Sequence, residues 1–288
     1  MALHVAVRRL AAQPLAVVVP ATSNSGAQAV RSLLAKGQVR VRAAARSAER
    51  ASKLLTDCKQ AELVSGIDAA RVETVAPAFA GAQLAVIVTP HDPAAGMHDD
   101  AAMTANMINA ARAAGVEHIV YIGSWTVHAP EQLKGLASRF VPSEKLLKEL
   151  SEDGGPNFTS LRSGFFFQNY LAWKEGIQAG CVRWPNFTIP AVDPRDMGRA
   201  AAAVLGDPRP HRGRCYEISG PRKLTTKEPR EGGRGKTAAT AKPQAFGGSS
   251  RACGSSLLLV FGSALWMSTG GWGAVAETRW CRQLQTST

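Results

Sequence analysis

The chain has 288 residues, with 34 Lys plus Arg against 22 Asp plus Glu, and so a formal net charge of +12. At 45% hydrophobic and 19% charged it holds enough apolar side chains for a real core, which excludes wholesale disorder and leaves one large domain or two small ones. Its five cysteines, Cys58, Cys181, Cys215, Cys253 and Cys281, are far apart with no C-x-x-C pair, so neither a disulfide framework nor a zinc site is legible and a reduced, intracellular chain is expected.

Residues 1–13 read as a leader. Arg8 and Arg9 without an acid are compatible with the opening of a mitochondrial transit peptide, but a strand that begins by Leu15 leaves little room for one, so a cytoplasmic chain is expected. Residues 15–19 form an apolar, β-branched strand and, after a polar turn, residues 27–35 a helix with Val30, Leu33 and Leu34 on one face. The alternation continues with a strand at 39–45, a helix at 48–55, a strand at 62–65, a helix at 72–79 and a strand at 84–89. Residues 101–114 give the next helix, closed by Gly115 as a C-terminal cap. Residues 118–122 are an apolar strand of the kind buried on both faces. This pattern predicts an α/β fold, a doubly wound parallel sheet with right-handed crossovers. A capped, alanine-rich helix over 193–205 and a strand over 214–219 follow.

The positive charge is uneven. Residues 229–288 hold seven basic residues against Glu231 and Glu277, so +5 of the +12 lies there. No aromatic interleaving and no zinc-finger spacing accompany the basic residues, so no nucleic-acid partner is expected. The longest apolar run, residues 257–267, includes Gly262 and Ser263 and falls short of the roughly 20 residues a spanning helix needs, so no membrane partner is expected either.

Ligands of doubly wound sheets sit at the carboxyl ends of the strands, which points here to residues 20–26, Arg46, Asp68, residues 89–93 and residues 123–128. The first loop, P-A-T-S-N-S-G, aligns with the G-x-x-G-x-x-G phosphate loop of extended and atypical short-chain dehydrogenases, with only Gly26 surviving. Pro20 removes an N–H and fixes φ, and Ser23 carries a Cβ where a glycine would admit a pyrophosphate. Taken alone the loop equally fits an ordinary strand-to-helix turn. Arg46 closes the second strand, where an acid would favour NAD and an arginine accepts a 2′-phosphate. NADP is therefore favoured over NAD, with Arg42 and Lys53 adding to the field.

These segments resemble the NmrA-like branch of the atypical short-chain dehydrogenases. The matching stretches are V-V-V-P-A-T-S-N-S-G, A-A-R-S, V-S-G-I-D, A-A-G-V-E-H-I-V-Y-I-G-S, F-V-P-S-E-K-L-L-K-E-L, F-T-S-L-R-S-G-F-F-F-Q-N-Y and I-P-A-V-D-P-R-D-M-G-R-A-A-A-A-V-L. The resemblance covers about residues 15–228. It implies a Rossmann core over about 14–160, smaller-lobe elements over about 161–228, and a cleft for NADP(H) and substrate. It further implies that Thr22, Ser23, Asn24, Ser25 and Gly26 wrap the pyrophosphate and Arg46 meets the adenosine phosphate. Ile67 and Asp68 border the adenine, Thr89 and Pro90 lie under the ribose, and Ser124 stands near the nicotinamide. Phe165, Phe166, Gln168 and Asn169 line the substrate side. Asp68 also reads as a helix cap, and the phenylalanines as core.

The Tyr-x-x-x-Lys pair that normally protonates a carbonyl in this superfamily is missing. Ser143 aligns with a lone lysine found in some NmrA-like relatives, and Lys145 is the nearest substitute, alongside Ser124. A hydrolase triad of Ser124, His128 and Asp92 lacks a G-x-S-x-G elbow, and His91, His98 and His118 lack metal-ligand spacing, so no metal is expected. Residues 229–288 hold ten of the 27 glycines and no steady period; they read as a low-complexity, largely disordered tail of atypical origin. The expected function is a weak NAD(P)H-dependent reductase of quinones or small carbonyl compounds with a small-molecule substrate. The alternatives are a non-catalytic NADP(H) sensor with a regulatory protein partner, and a degenerate product without cofactor.

Overall fold

The computed structural model describes residues 13–91, 97–169 and 191–220, with three short backbone segments at 256–259, 266–268 and 271–273. Residues 1–12 of the expected leader and most of the tail expected over 229–288 lie outside the described residues.

Strands β1 (Leu15–Val19), β2 (Arg40–Ala44), β3 (Glu62–Val64), β4 (Leu84–Val88), β5 (His118–Ser124), β6 (Asn157–Ser163) and a later strand at Arg214–Ile218 pair in parallel throughout. Strands β7 (Phe165–Phe166) and β8 (Ala191–Val192) form a separate parallel pair, which makes the Arg214–Ile218 strand β9. The main sheet runs β9-β6-β5-β4-β1-β2-β3, the doubly wound order with its switch point between β1 and β4. β10 (Ser256–Leu259) adds in parallel to β9, and β11 (Trp266–Ser268) and β12 (Gly271–Gly273) follow antiparallel.

Period-two alternation divides each strand between two cores. Ala16 and Val18 face one side with Ala27, Val30 and Leu33 of α1 (Asn24–Lys36). Leu15, Val17 and Val19 face the other side. α2 (Ala48–Leu54) follows β2. The second side is covered by α3 (Val72–Phe79), α4 (Met97–Ala113) and, beyond the short α5 (Lys134–Ala137), by α6 (Val141–Glu152), through Phe79, Met107, Ile108 and Leu147. α7 (Pro194–Gly206) lies on the first side with α1.

Two helices begin earlier than the sequence suggests. α1 starts at Asn24 because Ser23 caps it, and α4 starts at Met97, placing Asp99 and Asp100 in its first turn where the helix dipole favours acids. β5 runs on to Ser124. The C-terminal cap at Gly115 holds, with φ at +76°. Among the described residues no helix is long and apolar enough to cross a membrane.

α1 and α7 meet at Gly198, where an added Cβ would stand 2.4 Å from the Gln28 carbonyl oxygen. Gly198→Ala should therefore destabilise the fold by about 1–3 kcal/mol through overpacking, read as a lower midpoint in urea unfolding.

The amino ends of the central strands carry a buried polar chain. Thr159 Oγ1 donates to the His211 carbonyl at 2.7 Å and lies 2.9 Å from His118 Nε2. With its own hydrogen spent, Thr159 accepts from His118. His118 is 2% exposed, and burial lowers its imidazole from 6.5 to about 4. An unfolded chain thus binds a proton below pH 6.5 that the folded chain refuses until about pH 4. Stability from this site is present above pH 6.5 and lost as pH falls toward 4, by up to about 3 kcal/mol. Unfolding free energies at pH 7 and pH 4.5 should differ more in the wild type than in His118→Gln.

Candidate functional site

The turn from β1 to α1 is pinned from three directions. The Ala21 N–H donates to the Ala44 carbonyl at 2.8 Å, tying the turn to the end of β2. Ser23, the N-cap, accepts the Gly26 N–H at 3.0 Å through Oγ and donates from the same oxygen to the Pro20 carbonyl at 2.9 Å. Gly26 packs so closely that a Cβ would lie 2.2 Å from the Pro20 carbonyl oxygen. Ser23 therefore consumes one N–H that a glycine-rich loop would leave open. The N–H groups of Asn24 and Ser25, at the start of the helix, have no acceptor within it and carry the positive end of its dipole.

Beside this turn lies a groove of about 430 Å3, walled by Thr22 and Asn24 on one side and by Ser47, Arg50, Lys53 and Leu54 on the other. Arg46 is exposed and lies between β2 and Ser47, the cap of α2, which lines the groove. Lys53 is paired with Glu49 at 2.6 Å, which also lines the groove. Arg42 does not join this field. Its Nη1 donates to the carbonyls of Ala78 and Ala80 at 3.0 and 2.7 Å, and its Nε lies 3.0 Å from Glu62. The expectation that it serves the phosphate is corrected: it fastens α3 to the sheet edge.

Ile67 is buried, and its N–H donates to the Ala45 carbonyl, next to Arg46. Asp68 is held locally, accepting the Ala70 N–H at 3.1 Å and pairing with Arg71 at 3.2 Å. At the end of β4, Thr89 Oγ1 meets the Tyr121 hydroxyl at 2.8 Å, with Pro90 half-buried after it. Tyr121 is wholly buried beside Ser143 as well, and burial drives its hydroxyl well above the usual phenol range. Ser124 is buried at the end of β5, its Oγ accepting the Thr126 N–H at 3.3 Å. Lys145 stands apart from these groups, exposed on α6 and 3.7 Å from Glu149.

On the substrate side, Phe165 and Phe166 form β7, and Phe166 packs against the first core. Gln168 buries Oε1 without a hydrogen-bond partner among the described residues, and Asn169 is exposed.

One cluster escapes sequence reasoning. Arg162, 6% exposed on β6, makes a two-pronged bond to Glu144 of α6, Nε to Oε1 at 3.0 Å and Nη2 to Oε2 at 2.7 Å, while Ser160 donates to Glu144 at 2.6 Å. Burial opposes the guanidinium charge, but the hydrogen bond and charge of Glu144 prevail and raise its pKa. His128, from the 3-10 turn Trp125–His128, bonds Glu217 of β9 through Nε2, and Arg162 Nη1 lies 3.1 Å from the same nitrogen. The one legible signal is an arginine inside an otherwise uncharged strand, F-T-S-L-R-S.

A family model described as NAD(P)H-binding matches residues 21–206. Two curated relatives share 35% identity: a (4-alkanoyl-5-oxo-2,5-dihydrofuran-3-yl)methyl phosphate reductase of Streptomyces griseus, over 41% of this chain and 42% of its own length, and quinone oxidoreductase 2 of Escherichia coli, over 40% and 39%. The matched part thus spans about two fifths of either relative. Among solved structures, triphenylmethane reductase of Citrobacter sp. complexed with NADP(H) is 25% identical with a TM-score of 0.61, covering 74% of this chain and 72% of that one. NmrA, a negative transcriptional regulator in complex with NAD, shares the fold at 23% identity and a TM-score of 0.60, over 74% and 68%.

The cap itself is open to test. Ser23→Ala should cost about 1 kcal/mol of stability by stripping the Gly26 N–H of its acceptor, whereas Ser23→Gly should cost only a few tenths, both measured by urea denaturation.

Proposed function

The chain belongs to the NAD(P)H-binding family, and on that premise we propose that it is an NADP(H)-dependent oxidoreductase of quinones or small carbonyl compounds. The observation that carries this reading is the groove beside the β1–α1 turn, lined by Thr22 and Asn24 at the start of α1 and by Ser47, Arg50 and Lys53 beyond them, with the exposed Arg46 next in the chain to Ser47. Oriented N–H groups at a helix start and neighbouring guanidiniums are the chemistry that holds phosphates. The residues fit the coenzyme despite the lost glycines, because Ser23 closes only one of the N–H groups.

In this reading residues 22–26 hold the pyrophosphate, through Asn24 and Ser25 N–H and the Thr22 side chain, and Arg46 takes the adenosine 2′-phosphate. Ile67 and Asp68 border the adenine, and Thr89 and Pro90 support the ribose. Thr89 is fixed there by Tyr121. Ser124 lies by the nicotinamide, which supplies a hydride when bound. Phe165, Phe166, Gln168 and Asn169 contact the substrate, and the buried Gln168 Oε1, without a partner among the described residues, suits a substrate N–H or O–H donor.

A second reading, an NADP(H)-sensing regulator, is favoured by one observation: α6 offers an exposed, Glu149-paired Lys145 and a buried Ser143 in place of a Tyr-x-x-x-Lys pair. NADPH oxidation with a panel of quinones and aldehydes separates the two. Turnover supports the reductase, while tight NADPH binding with no turnover supports the sensor.

Calorimetry tests the coenzyme site. Arg46→Ala should weaken NADPH binding roughly 10-fold or more, as expected for loss of a charged hydrogen bond, and leave NADH unchanged. Equal NADPH affinity in both proteins would remove the role given to Arg46.

A further inference from the structure

We propose that His128 is the proton donor of the reaction, an inference that rests on the reductase reading above. Reduction of a quinone to a hydroquinone adds one hydride and one proton. NADPH, leaving as NADP+, accounts for the hydride, and the remaining proton has two sources, water or a side chain at the carboxyl ends of the strands.

The described residues leave few sources there. Tyr121 is sealed in the core with its hydroxyl bonded to Thr89 and held well above the usual phenol range by burial. Lys145 is exposed and paired with Glu149. The Ser124 hydroxyl exchanges no proton near neutrality. His128 carries an imidazole, the side chain most often used as a general acid, and it stands in the right place. It ends the single 3-10 turn that Ser124 caps, so at about 2 Å of rise per residue it lies within roughly 8 Å of Ser124 along the chain. Arg162 and Glu217, its partners, are cross-strand neighbours on β6 and β9, one residue before Ser163 and three before Phe165 in the case of Arg162.

The cluster around His128 is uneven in charge. Two carboxylates, Glu144 on α6 and Glu217 on β9, share one guanidinium, Arg162 on β6. The group keeps one uncompensated negative charge until the imidazole is protonated. His91, the other histidine at this end of the sheet, lies 3.3 Å from Asp100, but that carboxylate already has Arg139 at 2.6 Å, so its cluster is neutral without a second proton.

A carboxylate can only accept, so in this proposal the bond to Glu217 sets the tautomer against the Arg162 Nη1 donor 3.1 Å from the same nitrogen, keeping a hydrogen on Nε2 and leaving Nδ1 to deliver. In the step, the Nδ1–H bond breaks as an O–H bond forms on the reduced substrate, leaving the neutral Nε2–H imidazole. Water then restores the proton, because the side chain is 33% exposed.

Two measurements decide it. In the free wild-type protein, nitrogen-15 NMR of the neutral imidazole should show His128 as the Nε2–H tautomer. An Nδ1–H tautomer, with Nε2 accepting from Arg162, overturns the proposal. In stopped-flow reduction of a soluble quinone, His128→Gln should keep its NADPH affinity by calorimetry and lose roughly 100-fold in hydride-transfer rate, the scale of general-acid catalysis. His128→Ala should recover part of that rate with added imidazole. Unchanged rates in His128→Gln overturn the proton-donor role alone, whereas a wild type that binds NADPH and reduces no quinone overturns the reductase reading with it.

Discussion

The candidate site depends on how tightly the chain turns between β1 and α1. A Cβ at Gly26 would lie 2.2 Å from the Pro20 carbonyl oxygen, so the helix can start here only because that side chain is absent. Ser23 then closes the turn by bonding both Gly26 and Pro20. The fixed turn brings the start of α1 to the groove that Thr22 and Asn24 line and holds α1 against α7, where Gly198 and Gln28 approach nearly as closely. One glycine thus governs the opening of the groove and another the packing that holds its helix down. Both are close-packing constraints, with φ in the ordinary negative range, and neither depends on left-handed backbone.

The polar groups inside the sheet divide by strand end, and the division has a chemical meaning. At the amino ends, His118, Thr159, His211 and Tyr216 are linked by neutral hydrogen bonds, and burial holds both imidazoles below their usual range. At the carboxyl ends, Glu144, Arg162, His128 and Glu217 are linked by charges. A neutral chain costs little to bury once its partners are satisfied, while a charged cluster of unequal count is costly to keep unless it acts on something. Parallel strands bring ligands to their carboxyl ends, the end where this chain keeps its ions.

Much of the fold was legible in the sequence because its elements are punctuated by turn residues and separated by hydrophobic period. β1 and α3 occupy the bounds that pattern predicts, residues 15–19 and 72–79. The start of α1 was hidden, since Asn24, Ser25 and Gly26 have loop-like composition and become helix only through the Ser23 cap. Arg42 and Arg46 lie four residues apart and look alike in sequence. Only the packing of α3 against the sheet edge, offering the Ala78 and Ala80 carbonyls, separates a fastening arginine from one that stays exposed beside the groove-lining Ser47. The His128 cluster was illegible for a simpler reason: its four ionic members come from four separate elements, and no local spacing links residues 128, 144, 162 and 217.

The altered loop shifts how an anion would be held. A glycine-rich turn binds phosphate with backbone N–H groups, whose dipoles are fixed in direction and act within the first turn of the helix. Here Pro20 has no N–H to offer and Ser23 takes that of Gly26, so in the proposed reading a larger share falls to side-chain cations, Arg50 on the groove wall and the exposed Arg46 next to Ser47, with Lys53 held in check by Glu49. Exposed guanidiniums act through a screened field, so in the proposed reading coenzyme affinity depends on ionic strength more steeply than a backbone cradle would allow. The same shift explains why the reading favours NADP over NAD: when side chains on the second strand and its following helix replace backbone donors on the first, the extra phosphate beside them contributes a greater part of the total affinity.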